Sequence, residues 1–516
     1  MNNYYKLIKI LCITSLILPL LAQETEDEQE GLEIVVTTAT KTEKDILDTS
    51  QAVTALSGSQ LLELGLNNIR DLNNMIPGLY VQNTDTNAPI ITLRGIRTEN
   101  VTELGDPAVG IHVDGVYVAR PQAANALMFD LERTELTRGP QGTLYGRNSV
   151  VGTLNIVTAK PNFDIQGGSL NLVGGQLSEA GLRAHYNLPI NEKLALRFAY
   201  MEQSKDSFLD GFWDGSQLDW RRLPSNVRDQ FEVITSPDQR SYLSDYAWYL
   251  GCSTLPGNGC GQGNFSDPYN KIAADPSEFY TAIEDSAWRI SATYVVDDNS
   301  DLNIQFENYE DNGKGWTNVL SCELMRTRTG ITAKDGAANT CTDILGSENR
   351  YQSFANTPGF NKMNIDSFRA IYKRQLNETT NLTVNYGYQE LEQSSQFEID
   401  GGVNYQYGMA FNINRLLTES NVLDAYITGA NQEWAWVGGI FTSTEDNDML
   451  ANFTAELNGH DFFWQPNREL NHYAVYGQAT YALRDDLFFT VGGRLSYDEK
   501  SDVGGRNINC NSANGC

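Results

Sequence analysis

Beyond residue 22 the chain has no apolar run approaching the roughly 20 residues that a membrane-crossing helix needs, so any spanning part has to be built from strands. Basic residues are scarce: 37 Lys and Arg stand against 66 Asp and Glu, a net charge of -29. A surface of that sign repels a phosphate backbone, which excludes nucleic acid as the partner. Four histidines, His112, His185, His460 and His472, are too dispersed to form a compact metal or haem ligand set. His460 is the one candidate iron-related ligand, and strand packing or loop polarity explains it as well. The chain also lacks GxSxG and HExxH patterns, a persuasive pair of glycosidase carboxylates and the Lys-Ser/Thr ending of a P-loop. No enzyme activity, cofactor or metal site is expected.

What is present favours strands and turns: 44 Gly beside 25 Tyr, 20 Phe and 8 Trp. Lys6 and Lys9 precede the apolar stretch from Ile10 to Ala22, which reads as a signal peptide over residues 1–22, with a single anchoring helix as the alternative. Beyond it, six cysteines permit three local pairs, Cys252 with Cys260, Cys322 with Cys341, and Cys510 with Cys516, whose connectivity sequence leaves open. Their spacings match no zinc site.

After about residue 165 the apolar residues alternate. Leu182, Ala184, Tyr186 and Leu188 share one side and Arg183, His185 and Asn187 the other; Leu194, Leu196, Phe198 and Tyr200 then repeat the row opposite Arg197. About eleven strands follow: 168–174, 180–188, 194–203, 286–296, 301–309, 366–373, 381–389, 416–428, 432–444, 471–483 and 487–498. Short turns alternate with generally longer loops, and the six cysteines fall in the outward set of loops. That parity predicts an outer-membrane antiparallel β-barrel with short periplasmic turns and long extracellular loops, in preference to a sandwich.

Between residues 42 and 163 the periodicity is mixed, which predicts a compact α/β domain. Ser59 is placed to cap a short helix with Leu61, Leu62, Leu64 and Leu66, and 90–97 and 109–118 contain strands. Residues 23–41 form an acidic extension ending in GLEIVVTTATK. Its centre, Ile34, Val35, Val36, Thr37 and Thr38, reads equally as a strand offered for β-augmentation and as an ordinary edge strand. In ELTRGPQGTLYGRNS, Gly139, Gly142 and Gly146 allow close turns around Pro140, Arg138 and Arg147 can clamp carboxylates, and Glu135 supports the turn by charge.

EIVVTTA at 33–39, IPGLYV at 76–81, LRGI at 93–96, VGIHVDGVYVAR at 109–120, RGPQGTLYGRNS at 138–149 and GTLNIVTAKP at 152–161 resemble, in that order, the plug domain of TonB-dependent outer-membrane receptors. Val151 departs from the pattern, standing where the family commonly has glycine.

The resemblance implies a Gram-negative outer-membrane barrel of about 22 strands, plugged by residues 42–163, with residues 164–516 as its first part. The chain then reads as the N-terminal part of a longer receptor. Ile34 to Thr38 become the segment offered to periplasmic TonB, which is energised by inner-membrane proteins. Arg94, Gly95, Asp114, Gly115, Glu135, Arg138, Gly139, Pro140, Gly142, Gly146 and Arg147 become plug-supporting residues, with Arg94 and Arg138 docking on acidic lumen residues. Arg97, Asn100 and Asp106 are weaker candidates for ligand contact in an exposed plug loop. The implied function is active uptake of a scarce ligand, foremost a ferric siderophore, with vitamin B12, haem, a nickel complex or an oligosaccharide as alternatives. A passive porin or a surface adhesin competes with that reading, and lipid is the remaining partner.

Overall fold

Local sequence signals start the plug. The computed structural model describes residues 36–37, 41, 44–45, 51–66, 68–83, 89–98, 105–123, 128–214, 271–317, 351–355, 359–398, 409–455, 459–484 and 486–510. β1 (Val36–Thr37) pairs antiparallel with β2 (Lys44–Asp45). β3 (Ala52–Ser57) leads into α1 (Gly58–Glu63), capped by Ser57 rather than Ser59. The Ser57 hydroxyl accepts from the Gln60 amide and the Gln60 side chain accepts from the Ser57 amide, a reciprocal capping box. Only Leu61 and Leu66 of the expected apolar stripe are buried; Leu62 and Leu64 face outward.

A second box, Asn68 with Asp71, opens a 3-10 helix (Ile69–Asn74) that buries Ile69 and Leu72. β4 (Leu79–Asn83) and β5 (Pro89–Leu93) form a hairpin. The run 109–118 is not one strand. It folds back as β6 (Val109–Val113) and β7 (Val116–Val118), which join β8 (Leu131–Arg138) and β9 (Gly152–Thr158) in a five-stranded sheet of order β3-β8-β9-β6-β7.

The alternating region forms one open antiparallel sheet of eleven strands: β10 (Gly167–Gly174), β11 (Ala180–Asn191), β12 (Leu194–Lys205), β15 (Ile283–Asp297), β16 (Ser300–Asp311), β18 (Phe360–Asn377), β19 (Thr380–Glu398), β20 (Met409–Ala430), β21 (Trp434–Ala455), β22 (Gly459–Arg484) and β23 (Leu487–Cys510). Its register lines up Phe198, Ile290, Phe306, Phe368 and Tyr388 on one face. The adjacent row, Arg197, Ser291, Gln305, Arg369 and Gly387, lies on the other. Phe198, Ile290 and Phe306 are exposed while Ser291, Gln305 and Arg369 are buried against the plug. A wall that is apolar outside and polar inside suits lipid on one face and the plug on the other.

Several short turns open on a side chain that accepts an amide two residues on: Asn191 from Lys193, Asp297 from Asn299, Asn377 from Thr379 and Asn431 from Glu433. At the opposite rim β20 to β23 run for 22 to 26 residues, well beyond the alternating segments visible in sequence. About 9–11 residues suffice to cross a bilayer, so the excess projects outside lipid, where one-sided patterning is not required. The loops between β12 and β18 contribute a small separate sheet, β13 (Asp210–Asp214), β14 (Lys271–Ala273) and β17 (Gln352–Ala355), in the order β14-β13-β17. Phe279 and Tyr280 lie beside it with no exposed surface. β10 and β23 are the sheet's two edges.

Candidate functional site

Two of the plug motifs are tight hairpins of one design. In LRGI, Arg94 and Gly95 have φ of 53° and 81°, and Leu93 and Ile96 exchange hydrogen bonds. In VDGV, Asp114 and Gly115 have φ of 50° and 83° between the paired Val113 and Val116. Two successive left-handed residues match the strand twist, and glycine fits the second position without strain. The Asp114 carboxylate accepts from the Thr158 amide at 3.0 Å and from the Thr158 hydroxyl at 2.7 Å, tying the hairpin to β9. The hairpin presses on the wall: a Cβ at Gly387 would lie 2.3 Å from Val116 Cγ1, and one at Gly115 2.9 Å from Asn385 Nδ2.

The loop after β8 lies between the plug sheet and the last strands of the wall. The Gly139 amide donates to Val151 O at 2.8 Å, and Val151, the departure from the family pattern, is buried in the plug core. Gly146, with φ of 78°, sits under the Arg494 guanidinium, where a Cβ would come within 2.5 Å of it. Pro140 is exposed, and Gly142 has open space around its Cα. Asn148 Nδ2 donates to the Tyr117 hydroxyl at 2.6 Å and Asn155 Nδ2 to that of Tyr145 at 3.1 Å. His112 packs edge-on against Tyr145 and is 3% exposed. Burial, with the nearby positive charges of Lys41 and Arg494, pulls its pKa down to about 3, so the ring is neutral.

Plug docking falls mainly on residues that the motifs did not reveal. Arg289 and Arg369 share the buried Glu307 carboxylate, at 2.5 and 3.0 Å, and Arg289 also donates to the carbonyls of Phe129 and Asp130 at 3.2 Å. Arg197 holds the Asp130 carboxylate through two bonds of 2.8 and 2.5 Å. Arg120 pairs with Glu445, and Asp106 is held by Arg147 at 2.6 Å and by Lys500 at 2.8 Å. The Arg147 contact lies within the plug. Arg94 is exposed, and among the described residues neither it nor Arg138 forms an ion pair with the wall. Arg97 is exposed, Asp106 already has two cationic partners, and Asn100 lies outside the described residues.

At the outer rim a cavity of about 500 Å³ opens between the plug's 3-10 helix and the ends of β11, β12, β15 and β16. Arg70 lies over the Trp316 ring at 5.1 Å, and Phe208 meets the same ring edge-on at 6.3 Å. Asp285 and Asp311 are direct cross-strand partners on this cavity's wall. Burial pulls the Arg70 guanidinium below its ordinary pKa, and the carboxylates of Asp71, Asp285 and Asp311 pull it back up. The Asn68–Asp71 capping box marks a helix start and says nothing about a pocket. Among the described residues no cluster of His, Cys, Asp and Glu is suited to a metal ion.

At the inner end Val36 and Thr37 form the short hairpin, and Thr37, 1% exposed, donates to the buried Glu135 carboxylate at 3.0 Å. Arg133 donates to the other oxygen of Glu135 at 2.8 Å. Four residues past Thr37, Lys41 enters the interface between plug and wall. Its ammonium pairs with Asp424 and donates to the Tyr476 hydroxyl at 2.8 Å. It also lies over the rings of Tyr476, Tyr426 and Tyr145 at 4.5, 4.8 and 5.8 Å. Burial lowers its pKa while Asp424 opposes the shift. Ile34, Val35 and Thr38 lie outside the described residues, as do Cys252, Cys260, Cys322, Cys341 and Cys516. Cys510 ends β23, where the sequence had suggested a loop.

Residues 45–153 match the family model for the TonB-dependent receptor plug domain. The pesticin receptor of Yersinia pestis is 32% identical over 187 residues, covering 36% of this chain and 27% of that protein. The ferrioxamine B receptor of Salmonella typhimurium is 29% identical over 202 residues, covering 37% and 27%. The chain thus spans 27% of the length of these curated relatives. Among solved structures, the ferric yersiniabactin uptake receptor of Yersinia pestis superposes with a TM-score of 0.61 at 15% identity, over 89% of this chain and 61% of that one. The ferripyoverdine receptor of the Pseudomonas aeruginosa outer membrane gives 0.61 at 15% identity, over 92% and 56%. Plug, inside-out wall and matches together show a TonB-dependent receptor plug domain held by part of an outer-membrane receptor barrel, in a chain similar to siderophore receptors.

Proposed function

We propose that the chain serves TonB-dependent uptake of a scarce ligand across the outer membrane, and that the ligand is a ferric siderophore. The observation that carries this reading is the plug's two-ended placement. It presents the Arg70 and Trp316 cavity at the outer rim and the Val36–Thr37 segment at the inner end, with ion pairs to the wall between them. The named ligands of the relatives, ferrioxamine B and ferripyoverdine among them, support a ferric siderophore over vitamin B12, haem or oligosaccharide.

In this mechanism the ligand enters from outside and stacks against Trp316, while Arg70 meets its acidic groups. TonB adds a strand to the segment Ile34 to Thr38 and transmits force that rearranges the plug. The energy comes from the inner membrane, and this chain performs no chemical step.

Deletion of residues 34–38 abolishes accumulation of iron-loaded siderophore and leaves its surface binding intact. Accumulation that persists with an intact barrel overturns the coupling assignment. Uptake that survives an uncoupler points to a passive pore, and surface binding without accumulation in the unmodified chain points to an adhesin. Arg70→Ala weakens ligand binding roughly 10- to 150-fold, as loss of a charge-assisted contact of about 1.5–3 kcal/mol requires; unchanged affinity removes the cavity from the mechanism.

A further inference from the structure

We propose that Asp285 and Asp311 hold one proton between them and that this proton leaves Arg70 able to receive an anion, so that the outer cavity takes up an acidic ligand and a proton together. The inference rests on reading that cavity as the ligand site, and concerns what sets its charge.

The two aspartates face each other across β15 and β16 as direct register partners, Asp311 buried and Asp285 half-buried, on the face turned to the plug. Their outward neighbours Glu284 and Glu310 are exposed carboxylates where lipid would require apolar side chains, so the pair stands outside the membrane band. Like charges directly opposite each other in a sheet repel. The partners that reach these two are neutral. Asp311 accepts from the Gly313 amide at 2.8 Å and from Asn361 at 2.6 Å, and Asp285 accepts from Gln203 at 2.8 Å. The Tyr309 hydroxyl on β16 also meets Asp285.

The cation close to both is Arg70 on the plug's 3-10 helix, which Asp71 attracts as well. Arg183 on β11 answers Asp71 from the other side, and Lys205 pairs with Glu179 at 3.2 Å. Asp206, the remaining charged group of the cavity wall, adds a negative charge that the shared proton does not alter. With the proton in place, donated from Asp285 to Asp311, the two arginines balance Asp71 and Asp311. Its loss sets a third carboxylate against the same guanidinium. Burial pushes both carboxyls above their ordinary range, and the charge of Asp311 adds to the shift at Asp285. The pair therefore keeps its proton at a pH where an ordinary aspartate has lost it. Rising pH removes it, turns the cavity more negative and repels an anion at Arg70. Protonation and anion binding strengthen each other by the same factor.

The test uses the full chain from outer membranes and sulfate as the anion, because sulfate keeps its charge while the protein titrates. In the unmodified chain sulfate affinity falls as pH rises, approaching about tenfold per pH unit where one proton is linked to one anion. Asp285→Asn imitates the protonated pair permanently, so it binds sulfate as tightly at high pH as at low pH. Asp311→Asn gives the same result from the other strand. A protonated-carboxyl infrared band persists above the pH at which ordinary aspartates ionise, and Asp285→Asn removes it. An affinity that does not change with pH in the unmodified chain, a native slope in both variants, or absence of the band overturns the shared proton.

Arg70→Ala separates this inference from the reading beneath it. If Arg70→Ala abolishes sulfate binding while both asparagine variants keep the native slope, Arg70 stands as the group that receives the ligand and the shared proton falls. If sulfate binds equally well without Arg70, the cavity is not the anion receptor, and the linkage falls together with that reading.

Discussion

Asp130→Asn isolates the charge that holds the plug to β12. Asp130 has φ of 48°, a left-handed position that asparagine tolerates, so the substitution leaves the turn in place. It removes the negative partner of Arg197, which is bonded at 2.8 and 2.5 Å, with side chains only 13% and 8% exposed. Breaking a buried pair from one side costs about 3–5 kcal/mol because the remaining charge is stranded. Residual solvent contact and a surviving amide bond place this case near the low end, about 3 kcal/mol.

At about 1.4 kcal/mol per tenfold, local opening of the plug edge rises roughly two orders of magnitude. The readout is hydrogen exchange at the Ala159 amide, which donates to Asp130 O at 3.0 Å. Asp130→Ala adds about 1 kcal/mol of left-handed backbone cost and opens the edge further. Exchange at Ala159 unchanged in Asp130→Asn refutes the assignment of docking energy to this pair.

His112 gives the plug a pH dependence. Its folded pKa of about 3 lies below the unfolded value of about 6.5, so the unfolded state binds the extra proton and stability falls as pH drops through that window. Between pH 7 and pH 5 the plug loses about 2 kcal/mol, measured by urea-induced plug release, and His112→Gln flattens the slope; an equally steep slope in that variant assigns the effect elsewhere. Gly387→Ala forces a methyl against Val116, where the ideal Cβ stands 2.3 Å from Cγ1, and loosens the hairpin by about 1–3 kcal/mol. Unaltered exchange at residues 113–116 in that variant contradicts the close approach.

The eleven strands were legible because each alternates an apolar residue for lipid with a polar one for the lumen, and this local pattern survives any detail of the interior. Their outer ends were not legible, because strand segments beyond the bilayer have no reason to alternate. The hairpins at Arg94–Gly95 and Asp114–Gly115 were visible as motifs for the same local reason: two successive positive φ values select the residue types. Docking was a different matter. Arg94 and Arg138 stood out by motif, yet the ion pairs between plug and wall join Asp130 to Arg197, Arg120 to Glu445, Lys41 to Asp424 and Asp106 to Lys500.

Sequence by itself determined strand alternation, hairpin chemistry and the order of plug and wall, since each is written within a few neighbouring residues. Tertiary structure alone decided the partners. Lys41 and Asp424 are 383 positions apart, and Arg120 and Glu445 are 325 apart. In an alternating strand every inward polar residue has the same local signature, and only the register of the wall and the depth of the plug select which of them meet.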